Sequence, residues 1–155
     1  MKKAQIMGQP IIFIFIAIVA ILTLTLGIKY VYKLKVLGEE TQVVRELKEI
    51  ESDLQRVYQL SYQSSEKFAY SFPSSVNKIC FLETPTDLGP INNIDSNQKN
   101  YIKLSTGKNL FIFSDAKLKE RSSFSELIGT TQCFDIENKI SLILTNQGKK
   151  VIISI

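Results

Sequence analysis

Cys80 and Cys133 are the two side chains in this sequence whose type alone suggests covalent chemistry. Each stands in an apolar setting, one before Phe81 and one before Phe134. In an oxidising compartment a bridge between them would add ~3 to 4 kcal/mol by restricting the unfolded chain. In a reducing compartment they would be two buried thiols. Neither fits a nucleophile, because the sequence has no His to act as base and no basic cluster beside either Cys. The same lack of His removes imidazole metal ligands, and two Cys cannot build a four-thiolate zinc site. Asp95-Ser96-Asn97 opens like a calcium loop, but Asn100 stands where the loop needs Gly and Thr106 where it needs Glu. There is no glycine-rich phosphate loop and no G-x-S-x-G. The expectation is a protein that is not an enzyme, with no catalytic residue, no metal site and no cofactor.

The elements that must position the two Cys lie in residues 67–155, where the pattern is that of strands and turns. Residues 68–72 alternate, 73–75 turn, and 79–82 form a short apolar run, which reads as a first pair of strands. Residues 101–105 and 110–114, joined through Thr106-Gly107-Lys108, read as a second hairpin. A third runs over 139–145 and 151–155 through Asn146-Gln147-Gly148-Lys149. Cys133 opens one more strand. A short helix is expected at 123–128, and 84–100 reads as a long polar loop that offers a partner surface. Six or seven antiparallel strands in a curved sheet or a sandwich follow, with the apolar strand 151–155 at the centre of its sheet.

Residues 36–66 form the support of that domain. Val43, Leu47, Ile50, Leu54 and Val57 are separated by four, three, four and three positions, which puts them on one stripe of a helix. Glu39, Glu40, Glu46, Glu49, Glu51 and Asp53, with Arg45, Lys48 and Arg56, read as its solvated side. Two heptads are too few to argue a coiled coil. The stripe suits either the chain's own β domain or a partner, a second copy or another membrane protein.

Residues 1–35 are of another kind. From residue 4 to residue 28 no side chain is charged, and the run from Ile11 to Leu22 is wholly apolar. A helix of that length crosses a ~30 Å hydrocarbon layer, and a helix closes its own hydrogen bonds there. Lys29, Lys33 and Lys35 with Tyr30 and Tyr32 form the flank expected at lipid headgroups. The run is longer than a removable signal peptide uses and lacks its small-x-small cleavage site. The whole chain has 19 Lys plus Arg against 15 Asp plus Glu, a net charge of +4. Five of those Lys and none of the acids lie in residues 1–35, so the remainder is close to neutral. That excludes a basic nucleic-acid footprint, and the bilayer is the expected partner. The positive-inside count alone would place the β domain on the cytoplasmic side.

Lys2-Lys3-Ala4-Gln5, set directly before a long apolar helix, resembles the class III signal of archaeal type IV pilins and pilin-like proteins. The resemblance covers about the first 30 residues. It implies a peptidase cut on the cytoplasmic side after Ala4, a mature chain that begins at Gln5 and keeps its helix, and a β domain outside the cell. Lys3, Ala4 and Gln5 would be the processing residues. Many pilins carry a Glu five residues into the mature chain, and Gln9 stands there instead, which does not supply the charge that neutralises a neighbour's amino terminus. The fold expected is α+β: a long N-terminal transmembrane helix, an amphipathic stalk and a small antiparallel β domain. The function expected is that of a surface-exposed structural or adhesive protein; the alternative is a membrane-tethered accessory or sensor domain that binds another membrane protein.

Overall fold

A computed structural model describes residues 8–84, 94–114 and 120–155. The fold is α+β. Helix α1, Gly8–Tyr58, has 51 residues, with Pro10 in its first turn where a missing amide costs no hydrogen bond. The chain divides into two compact units between Gly38 and Glu39, where borders at 35 and 66 were expected. The C-terminal part of α1 is not a separate stalk but belongs to the same unit as the sheets.

In the first unit every side chain from residue 11 to residue 35 is exposed. Within the apolar stretch the Thr23 hydroxyl donates to the carbonyls of Val19 and Ala20, and that of Thr25 to Leu22, so both are satisfied by the helix itself. This is one helix long and apolar enough to cross a membrane.

Among the described residues of the second unit seven strands follow α1: β1 Ser65–Ser71, β2 Val76–Phe81, β3 Leu110–Ser114, β4 Arg121–Ser123, β5 Gln132–Asp135, β6 Lys139–Asn146 and β7 Val151–Ser154. Helix α2, Ser96–Leu104, lies between β2 and β3 in sequence. The strands form two antiparallel sheets, β1-β6-β7 and β4-β3-β2-β5. Strand β6 alternates as a one-sided strand must, with Ile140, Leu142, Leu144 and Asn146 turned inward. The β2 and β3 strands do not alternate, because both of their faces are covered. Ile79, Phe81, Leu110 and Ile112 enter the main core with the α1 stripe, while Cys80, Phe111 and Phe113 form a second cluster with Leu82 and Ile102 of α2.

Four expectations change. The strands at 68–72 and 79–82 exist but do not pair; β1 pairs with β6, and β2 with β3 and β5. Residues 101–105 are not a strand but the end of α2. Asp95 caps that helix: its carboxylate accepts from the Gln98 amide at 2.7 Å, and Gln98 reciprocates to the Asp95 amide, which offsets the strand propensity of Tyr101 and Ile102. The loop expected at 84–100 is therefore partly helical, and its residues 85–93 lie outside the described residues. The segment 123–128 is not a helix, because the buried Asn109 side chain holds both backbone groups of Ser125 in an extended turn. Finally, β7 is an edge strand and β6 the centre of its sheet. The open side of β7 is shielded by residues 127–130, through Val151 N–H to the Leu127 carbonyl, Gly129 N–H to the Val151 carbonyl and Ile153 N–H to Thr130 Oγ1. Gly129 permits that approach, since a Cβ there would lie 2.8 Å from the Lys150 Cβ.

Candidate functional site

The Cys80 and Cys133 side chains are joined in a disulfide. They face each other directly across the β2–β5 pairing, with Cα atoms 4.0 Å apart, so the sheet register brings them together. Cys80 is fully buried. Ile94, Tyr101 and Ile102 cover the cluster around the bridge, and Tyr101 stands edge-on to both Phe111 and Phe113. With Cys80 buried, Cys133 half-buried on the edge strand β5, and no His in the sequence to act as a base, the bridge has the chemistry of a structural clamp.

Val43, Leu47, Ile50, Leu54 and Val57 all lie in the main core, none more than 7% exposed. At roughly 1.5 to 3 kcal/mol for each fully buried aliphatic side chain, this stripe is a principal source of the domain's stability. It is used within the chain and presents no apolar face to a partner helix.

The acids beside the stripe were expected in solvent, and the structure turns most of them onto the two sheets. On one flank Glu39 accepts from the Ser75 hydroxyl at 3.0 Å, Gln42 donates to the Ser71 carbonyl at 2.9 Å, Glu46 accepts from the Ser71 amide at 3.2 Å, and Asp53 accepts from the Tyr70 hydroxyl at 2.9 Å. Strand β1 is an edge strand, and at Ser71 the Gln42 and Glu46 side chains pair its backbone as a neighbouring strand would. On the other flank Glu40 pairs with Arg121 at 3.2 Å and Glu51 accepts from the Ser123 hydroxyl, both on the edge strand β4. Glu46 is buried, and Arg45 at 3.0 Å together with the Ser71 amide offsets its desolvation. A sequence signal for this grip exists: Glu39, Glu46 and Asp53 recur every seven residues alongside the apolar row.

The helix end is fixed in the same way. The Asn146 side-chain amide donates to the carbonyls of Tyr58 at 3.0 Å and Leu60 at 2.8 Å, and its oxygen accepts from the Gly148 amide at 2.7 Å. A side chain from β6 thus satisfies the carbonyl of the last residue of α1 and that of Leu60 just beyond it.

Shallow clefts open among the described residues of this unit. One, of about 490 Å³, is lined by Glu51, Gln55, Tyr58 and the turn 124–127. Another, of about 470 Å³, is lined by Asn77, Lys78, Ile94, Asp95, Gln98 and Asp135. Their polar groups are engaged in the fold: Glu51 holds Ser123, Asp95 caps α2, and Lys78 pairs with Asp135 at 3.3 Å. Among the described residues no three His, Cys, Asp or Glu side chains are grouped to hold a metal ion. Lys3, Ala4 and Gln5 lie outside the described residues.

No family model matches the chain, and no curated protein or solved structure is significantly similar to it.

Proposed function

We propose that this chain is a single-pass membrane protein whose β domain stands outside the cell, and that it serves there as a pilin-like structural or adhesive protein without catalytic activity. The observation that carries the reading is the Cys80–Cys133 disulfide in a unit attached to one exposed apolar helix. Disulfides persist in oxidising compartments, so the bridge favours an external domain over the cytoplasmic one that the Lys count suggests. With one crossing, the amino terminus then faces the cytoplasm, the side on which cleavage after Ala4 would occur. Gln9 in place of an acid fits a minor or non-polymerising member of such a system better than a major filament subunit. The tethered-accessory reading loses its main route, because the α1 stripe is filled by the chain's own sheets.

The test is the intact mass of the protein from native membranes, with thiols alkylated before lysis. The reading expects a mass lacking residues 1–4 and two unalkylated Cys. Cytoplasmic disulfides do occur in heat-adapted organisms, so orientation is read separately, by labelling the β-domain lysines on intact cells with a membrane-impermeant reagent. An unlabelled domain or a full-length mass with both thiols alkylated would overturn it.

A further inference from the structure

The turn of α1 that follows the apolar run carries Lys29, Tyr30, Tyr32, Lys33 and Lys35, and the first acidic residue of the chain is Glu39. All five side chains are exposed, Tyr30 and Tyr32 at 67% and 59%. At about 100° per residue, Lys29 and Lys33 stand ~40° apart on one face and ~6 Å apart along the axis, with Tyr32 to one side of them and Tyr30 to the other. Val31 and Lys35 fall on the opposite side, and Leu34 falls beside Tyr30. The face therefore presents two ammonium groups between two phenols, four side chains that all donate hydrogen bonds, with no carboxylate in residues 1–38 to compete.

We propose that this face binds the headgroup phosphates of anionic lipids in the leaflet nearest the β domain. The inference rests on the membrane reading above. Lys stems lie along apolar surface while their heads reach outward, and Tyr rings settle at the same depth, so all four groups meet at the level of the phosphates. A zwitterionic lipid neutralises its own phosphate, whereas an anionic one brings net charge to the two ammonium groups. In the outward orientation these Lys oppose the usual cytoplasmic bias of such residues, and attraction to anionic headgroups on that side offsets the opposition.

The full-length protein would be reconstituted in vesicles of equal parts phosphatidylcholine and phosphatidylglycerol, with spin-labelled forms of each lipid reporting which is immobilised at the protein. The expected result is an enrichment of phosphatidylglycerol on the order of fivefold, the equivalent of ~1 kcal/mol for one Lys–phosphate contact. It should fall towards parity in the Lys29→Gln/Lys33→Gln variant and remain in a Lys108→Gln/Lys149→Gln control on the β domain. Parity in the wild type, an unchanged preference in the first variant, or an equal loss in the control would overturn the proposal, provided that alkaline carbonate leaves the protein in the vesicles. Extraction by carbonate would instead overturn the membrane reading, and this inference with it, so the two failures are distinguished.

Discussion

Tyr70 is buried, and its hydroxyl donates to Asp53 beneath a row of further acids on α1. Burial first, then that hydrogen bond and the charges of Asp53, Glu49 and Glu46, hold its phenol far above the usual tyrosine range. The unfolded chain loses this proton near pH ~10 while the folded one keeps it, so the folded state binds more protons there. The stability that Tyr70 contributes is therefore complete below pH ~10 and declines above it, by up to ~1.4 kcal/mol per pH unit. Tyr70→Phe removes both the hydrogen bond and the titration. It should cost about 1 kcal/mol near neutral pH and flatten the decline at alkaline pH. Urea unfolding of the detergent-solubilised full chain, at neutral pH and above pH 10, reads both effects. Parallel curves for the two proteins across that range would dismiss this account of Tyr70.

For the elements, the decisive feature is that α1 supplies the domain's core on one stripe and holds two sheet edges with the side chains beside it. Leu47→Asp with Leu54→Asp places two carboxylates in that core, and the expected loss exceeds ~5 kcal/mol, comparable to the whole stability of a domain of this size. Near-ultraviolet circular dichroism should show tertiary structure lost, while Lys48→Glu on the exposed side stays within ~0.5 kcal/mol of the wild type. A native-like spectrum for the double variant would mean that the stripe is not what holds the sheets. The stripe was legible in the sequence because helical spacing is a local pattern, and so was the hairpin of β6 and β7, whose turn residues lie between its strands. The partners of β1 and β2 were not, since pairing across about 30 to 80 residues leaves no trace in either segment alone. Helix α2 escaped for a different reason: Asp95-Ser96-Asn97 was compared with a calcium loop, whereas Asp95 and Gln98 have the spacing of a helix cap. The inward turn of Glu46 and Asp53 was hidden by their charge, although their seven-residue period marked the row.

At the scale of the molecule, the disulfide ties β2 to the edge strand β5, and about 4 kcal/mol is the expected contribution for a loop of its length. A Cys80→Ala/Cys133→Ala variant should unfold at a correspondingly lower urea concentration, and reductant, given time to reach the buried bridge, should bring the wild type to the same point. A variant as stable as the oxidised wild type would show that the sheets alone suffice. The pairing of β1 with β6 has a further consequence, in time rather than in energy. Roughly 70 residues separate these strands, so at about 5 to 20 residues per second the ribosome needs roughly 4 to 15 s between one and the other. Throughout that interval β1 lacks its partner strand, and the α1 stripe has only the strands of the β4-β3-β2-β5 sheet to meet. The domain must therefore assemble after β6 has emerged, in the slow regime typical of distant strand pairing. If the domain stands outside the cell as proposed, a chain that inserts its first helix while still being synthesised would deliver the rest across the bilayer unfolded.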